Sequence, residues 1–433
     1  MTTSKTPLYG YRDSKTKIEE RLKGDIRSQV YGAINPKEII QNVRKNPSGV
    51  RRDLRNLTIR IIGECGYLCT TSDREALVEY ILNEILGFGP IEPLLRDESV
   101  AEVMVNGPDK VFVEREGKLE LTAVTFDDEE HVMRIIDRIV SPIGRRIDES
   151  CPMVNGRLAD GSRINAIIRP VSLVGPVLTV RKFRSKAFTL SEMVVMGCLS
   201  EAMMEMLRAA VRARLNVIVT GGTGSGKTTL LNALSREIPA DERIVTIEDA
   251  AELKFEQPHV VSLEARPANI EGRGSINIRD LVINALRMRP DRIVVGEVRS
   301  GECLDMLQAM NTGHDGSLTT AHANSPTDVI VRLETMALMS GLDLPVSSIR
   351  QQIAAAIDLI VHETRSADGS RRVTNIAEIS GGAGDELLIR DIFAYVPGPA
   401  KSSGHLSTGY VPRCAPKLAE QGFCVTSSGA SDV

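Results

Sequence analysis

The feature that most narrows what this chain can fold into is Gly221-Gly222-Thr223-Gly224-Ser225-Gly226-Lys227-Thr228, which meets the P-loop pattern G-x-x-x-x-G-K-[ST] at every fixed position. Its flanks have the pattern the motif demands. Asn216-Val217-Ile218-Val219-Thr220 reads as a short buried strand, and Thr229-Leu230-Leu231-Asn232-Ala233-Leu234 opens a helix behind the loop. Successive backbone N–H groups of a glycine-rich loop, aimed from a helix N-terminus, form a cradle for a polyphosphate. Lys227 is placed to neutralise the β- and γ-phosphates and the Thr228 hydroxyl to ligate Mg2+. Residues Gly221 to Thr229 are therefore the expected contacts of a nucleoside triphosphate.

A chain of 433 residues exceeds one ordinary core, so two or three domains are expected. No stretch supplies the roughly 20 consecutive apolar residues of a membrane helix. The longest candidate, Ile164 to Val180, is broken by Arg169, Pro170 and Pro176. The start, Met-Thr-Thr-Ser-Lys-Thr-Pro, lacks the apolar core of a signal peptide, and a cytoplasmic location is the expectation. The seven cysteines are scattered and odd in number, which favours free thiols, and Cys65 and Cys69 have no second pair to complete a zinc site. A net charge of −4, 3% aromatic residues and the absence of Trp argue against an obligatory nucleic-acid partner.

Residues 1–20 are polar and expected to be a mobile tail, followed by a helical region over 21–86 that Gly87-Phe88-Gly89-Pro90 stops. The period then changes. Strand-like segments at 101–105, 110–114, 163–168 and 178–183, with a helix over 128–140, predict a small α+β domain spanning 87–183. A linker at 184–188 leads to an α/β domain over 189–396, in which short apolar strands alternate with helices around a mostly parallel sheet. The Gly-, Pro- and Ser-rich stretch 397–433 reads as a C-terminal extension. The basic cluster Arg44, Lys45, Arg51, Arg52 and Arg55 reads first as a solvated helix face and second as a docking patch.

Two further strands carry acids to the edge where ligands of open α/β sheets collect. Arg292-Ile293-Val294-Val295-Gly296 delivers Glu297, and Ile244-Val245-Thr246-Ile247 delivers Glu248 and Asp249. One of Glu248 and Glu297 would orient the attacking water while the other tunes Mg2+ coordination; Glu297 is favoured as the base, and the reverse assignment stays open. His314 and His322 lie eight apart in a Gly- and Thr-rich stretch, a spacing unsuited to one metal on one helix face. Their expected task is to report the γ-phosphate through the hydrogen-bonding state of the imidazole.

The order of P-loop, Thr246-Ile247-Glu248-Asp249, Gly296-Glu297-Val298-Arg299 and Thr312-Gly313-His314…Thr320-Ala321-His322 resembles the secretion ATPase superfamily of type II and type IV secretion and type IV pili. These blocks look like its Walker A, Asp box, Walker B and His box. Leu86-Gly87-Phe88-Gly89-Pro90-Ile91, Arg157-Leu158-Ala159-Asp160-Gly161-Ser162-Arg163-Ile164-Asn165 and Leu178-Thr179-Val180-Arg181-Lys182-Phe183 are similar to its CpaF/TadA branch, the assembly motors of tight-adherence pili. Ser300, where the family often has Gly, and Cys414, where an aromatic is more usual, depart from the pattern. The resemblance implies a RecA-like P-loop motor domain preceded by a smaller α+β, PAS-like domain and a helical N-terminal extension. It implies hydrolysis of ATP with Mg2+, a homohexameric ring, and an inner-membrane platform protein as partner. It also implies a site completed on ring closure, which gives Arg157, Arg163 and Arg181 the role of phosphate-binding arginines, with Arg266, Arg273 and Arg279 as alternatives. A nucleic-acid translocase or conjugative DNA-transfer ATPase is the rival reading of the same core.

Overall fold

The computed structural model describes residues 10–35, 42, 45–65, 70–115, 117–183, 188–266, 268, 273–366, 368–381, 387–398 and 404–425. The chain divides into two compact units, residues 1–182 and 183–433.

The first unit opens with helices α1 (Gly10–Ala33), α2 (Pro47–Glu64) and α3 (Thr71–Leu86). Helix α1 therefore begins inside the stretch expected to be a mobile tail. The three helices meet through Ile26, Val30, Leu54, Ile61, Ile62, Leu77, Val78, Ile81 and Leu82, an apolar cluster at helical spacing. The Thr70 side chain and Asp73 form a reciprocal capping box that starts α3. Within the basic run, Arg51 bonds Glu79 at 2.6 Å and Arg55 pairs with Glu75 and Glu79, so these two guanidiniums face α3. Arg44 and Cys69 lie outside the described residues.

A short helix α4 (Glu92–Arg96) leads into strands β1 (Val100–Asn106), β2 (Val111–Arg115) and β3 (Lys118–Leu121), helix α5 (Glu129–Val140), then β4 (Met153–Arg157), β5 (Arg163–Ile167) and β6 (Val177–Arg181). The six strands form an antiparallel sheet in the order β3-β2-β1-β6-β5-β4. Helix α5 is capped by the Asp128 carboxylate and lays Val132, Ile135, Ile136 and Ile139 on one face of that sheet. Alternation leaves the other face of β5, with Arg163 and Asn165, outside the core.

The second unit holds α6 (Leu190–Val195), α7 (Glu201–Arg212), β7 (Val217–Gly221), α8 (Lys227–Ser235), β8 (Ile244–Glu248), β9 (Val260–Glu264), α9 (Ile278–Ala285), β10 (Arg292–Val298), α10 (Glu302–Asn311), β11 (Leu318–His322), α11 (Pro326–Leu338), α12 (Val346–Ala356), β12 (Leu359–Arg365), β13 (Arg371–Gly381), β14 (Leu387–Val396), β15 (Gly404–Ser407) and α13 (Ala415–Glu420). One nine-stranded sheet runs β15-β14-β13-β12-β7-β11-β10-β8-β9. From β12 to β9 every pairing is parallel; β13, β14 and β15 extend the sheet antiparallel.

Both faces of the parallel part are covered, which is why its strands are apolar at successive positions. Val217 and Val219 pack with α6, α7, α8 and α13, while Ile218 packs with the cluster of α9 to α12. The fold is thus a RecA-like α/β motor domain preceded by a smaller α+β domain and a helical extension. The stretch set apart as an extension contributes to this second unit: β15 pairs with β14, and Cys414 and Leu418 are buried in the core beneath α7.

Candidate functional site

The loop between β7 and α8 has the backbone that its glycines dictate. Gly224 and Gly226 sit at φ 70° and 116°, in the left-handed region that glycine enters without a Cβ clash. Gly226 caps α8, so Lys227, Thr228 and Thr229 form that helix's first turn and aim its N-terminal amides into the loop. The Lys227 ammonium donates to the carbonyls of Gly221 and Gly222, both at 3.0 Å. Nothing stands within 4 Å of a methyl built on Gly222, and the buried Ser225 hydroxyl has no hydrogen-bond partner. An open loop with a buried free hydroxyl, a lysine and a helix N-terminus suits a polyphosphate with Mg2+.

The order β7-β11-β10-β8 brings the C-terminal ends of β8 and β10 to the loop's edge of the sheet. Glu248 is 4% exposed, and its carboxylate accepts the N–H groups of Glu252 at 2.8 Å and Leu253 at 3.0 Å, pinning the segment that follows β8. Gly296 leaves room for it: a methyl there would lie 2.9 Å from Glu248 Cγ. Glu297 is more exposed, and Arg299 holds it through contacts of 2.6 and 3.0 Å. The pairing of β10 with β11 shifts register between Val295 and Val298, an irregularity that brackets Glu297. Arg299 also approaches Asp249 at 3.7 Å.

The two histidines part company. His322 closes β11 opposite Gly221, with Nε2 3.5 Å from the Thr223 hydroxyl. Burial and the nearby Lys227 charge hold its imidazole below the ordinary histidine value, so it is neutral near pH 7. His314 precedes the start of β11, where Ser317 pairs with Asn216 and Val217, and its Nδ1 lies 3.3 Å from the Ala309 carbonyl. That is the amino-terminal edge of the sheet, the edge opposite the P-loop. The expectation that His314 reports the γ-phosphate is corrected: the five residues of β11 separate it from the P-loop edge.

Sequence reasoning missed β12. It pairs in parallel with β7, so His362 stands opposite Thr220 and Glu363 opposite Gly221. His362 Nδ1 is 2.8 Å from the Thr220 hydroxyl. From β13, Arg371 donates to the Gly224 carbonyl at 2.9 Å. The signal was present, since Leu359-Ile360-Val361-His362-Glu363 is another apolar strand ending in a carboxylate.

In the first unit, three arginines from separate strands fall into one row. Arg157 pairs with Arg163 across β4 and β5, and Arg163 with Arg181 across β5 and β6. Directly paired residues share a face, so the guanidiniums emerge together on the face away from α5. Glu102 of β1 ends the row opposite Arg181. Of the alternatives, Arg279 is held by Asp305 at 2.9 Å and by the Ser340 carbonyl, and Arg266 donates to the Gly274 carbonyl at 2.8 Å.

Among the described residues no cluster of three or more His, Cys, Asp or Glu is arranged to hold a metal by itself, and no helix is long and apolar enough to cross a membrane. A cavity of about 620 Å³ in the second unit is lined by Thr189, Arg236, Thr246, Lys254 and Ser262 and includes no P-loop residue.

Residues 84–380 match the family model described as type II/IV secretion system protein. A candidate conjugal transfer protein of Mycobacterium tuberculosis is 41% identical over 313 residues, covering 70% of this chain and 88% of that protein. The type IV secretion system protein PtlH of Bordetella pertussis is 35% identical, covering 69% of this chain and 94% of its own length. Among solved structures, the VirB11 ATPase of the Brucella suis type IV secretion system is 31% identical, with 67% of this chain and 95% of that chain covered and a TM-score of 0.37.

Proposed function

The chain belongs to the type II/IV secretion system protein family, and from that premise we propose that it is a Mg2+-dependent ATPase of the type IV secretion kind. The specific assignment is to the tight-adherence pilus assembly branch, working as a homohexamer on the cytoplasmic side of an inner-membrane platform protein. The observation that carries the reading is the convergence of the P-loop, Glu248 and Glu297 at one edge of the motor sheet.

Lys227 turns from the Gly221 and Gly222 carbonyls toward phosphate charge, and the loop amides complete the cradle. Thr228 would hold Mg2+ through its hydroxyl, and the ion would supply charge neutralisation to the phosphates. Glu297 orients water and accepts its proton. Glu248 secures the neighbouring segment through the Glu252 and Leu253 amides and would tune Mg2+ coordination. His322, neutral and beside Thr223, senses loss of the γ-phosphate; His314 drops out of this set. The row Arg157, Arg163 and Arg181 is the favoured source of arginine for the phosphates.

The second reading, a conjugative DNA-transfer ATPase, is favoured by the naming of the Mycobacterium relative as a conjugal transfer protein. Its prediction is stimulation of turnover by DNA. Steady-state ATP hydrolysis with and without single- and double-stranded DNA, on protein sized by light scattering, separates the two. Turnover indifferent to DNA from a hexameric species supports the secretion motor. Severalfold stimulation by DNA moves the assignment to DNA transfer.

A further inference from the structure

Glu363 has no part in the chemistry above, yet it is packed against the P-loop at two points. It is 1% exposed and closes the buried part of β12 beside β7. Its backbone carbonyl abuts the start of the loop: a methyl on Gly221 would come within 2.1 Å of it. Its side chain reaches the end of the loop, since a methyl on Gly226 would lie 2.6 Å from Oε1. Oε2 is buried with no hydrogen-bond partner. A carboxylate in such a place keeps a buried charged oxygen with no hydrogen bond, whereas a carboxylic acid fills the same space neutrally.

We propose that Glu363 is a positioning residue of the triphosphate site, a carboxyl group that packs under Gly226 and gains a proton when phosphate charge enters the loop. The proposal rests on the P-loop being a triphosphate site. The groups that face Glu363 are Lys227 from α8, Arg371 from β13 and the Cys198 thiol from the turn before α7, with His362 its neighbour on β12. Burial outweighs the two cations and pushes the Glu363 carboxyl up to about 8. Bound phosphate adds negative charge and draws Lys227 away, and both changes favour the protonated form further. Below pH 8 the carboxyl is already neutral and binding needs no proton. Above it, binding must take a proton from solvent, so affinity falls as pH rises, by at most about tenfold per unit.

Calorimetric titration of the full chain with Mg2+ and a β,γ-imido analogue of ATP at pH 8, in two buffers of different ionisation enthalpy, counts the protons exchanged. Wild type is expected to take up about half a proton more than Glu363→Gln. The Gln variant, isosteric and permanently neutral, is expected to keep its affinity level from pH 7 to 9 while that of wild type declines. Binding by both proteins with equal proton counts overturns the proposal and leaves the triphosphate site standing. Absence of binding to wild type overturns the site itself. Should the variant not fold, a wild-type affinity that is flat from pH 7 to 9 overturns the proposal, and one that declines through pH 8 with proton uptake supports it.

Discussion

Glu248 and Glu297 end neighbouring strands, but their carboxylates are engaged differently. The first is buried and satisfied by two backbone N–H groups; the second is held by the exposed guanidinium of Arg299. Replacing Glu248 with Ala removes an acceptor from two part-buried amides, and the expected cost is about 1–3 kcal/mol of stability, read as a lowered Tm. Glu297→Gln keeps shape and hydrogen bonding and is expected to leave the melt unchanged. It should cut ATP turnover by about 10²–10³-fold with nucleotide affinity retained. The reverse pattern, with Glu248→Gln losing turnover and Glu297→Gln sparing it, exchanges their roles. Sequence could name both acids because an apolar strand ending in a carboxylate is a local pattern. It could not say which acid is tied to backbone, since those amides belong to a loop whose path no periodicity records. His314 was misplaced for a related reason: three residues separate it from β11, and only the pairing with β7 shows which edge it occupies.

At the scale of elements, the parallel strands were readable because burial on two faces leaves a run of Val, Ile and Leu. The antiparallel extension was not. β14 is mostly half-buried or exposed, with only the adjacent Ile392 and Phe393 buried, β15 is four residues long, and the tail's Gly and Pro content masks a segment that folds back onto the core. A buried carboxylate fixes that return. Glu378, 3% exposed on β13, accepts the Tyr410 hydroxyl at 2.8 Å and the Arg413 amide at 2.8 Å. Glu378→Ala leaves both donors without their acceptor and is expected to cost about 1–3 kcal/mol, with increased proteolysis in residues 404–425 before the rest of the unit is cut. A variant that melts like wild type and is cut no faster would show that the tail is held by its apolar contacts alone. Departure from family pattern at Cys414 has a packing reason here, because the residue is 7% exposed within the main core of the second unit.

Across the whole chain, the arginines show what topology adds to motif. Arg157, Arg163 and Arg181 come from two sequence blocks and three strands, and antiparallel register alone lines them up on one face of the first unit's sheet. Single substitutions to Ala are expected to lower turnover by about tenfold or more while nucleotide affinity and Tm stay near wild type, because the row is peripheral to the core that stabilises that unit. Unchanged turnover in all three would pass the role to Arg266, Arg273 or Arg279. Every one of these assignments presumes that the loop after β7 binds and turns over ATP. The most direct measurement is steady-state, Mg2+-dependent ATP hydrolysis by the purified chain beside Lys227→Ala, with bound nucleotide measured in parallel. The account predicts turnover by wild type and the loss of both binding and turnover in the variant. Turnover that survives Lys227→Ala, or a wild type that binds no nucleotide, would contradict it.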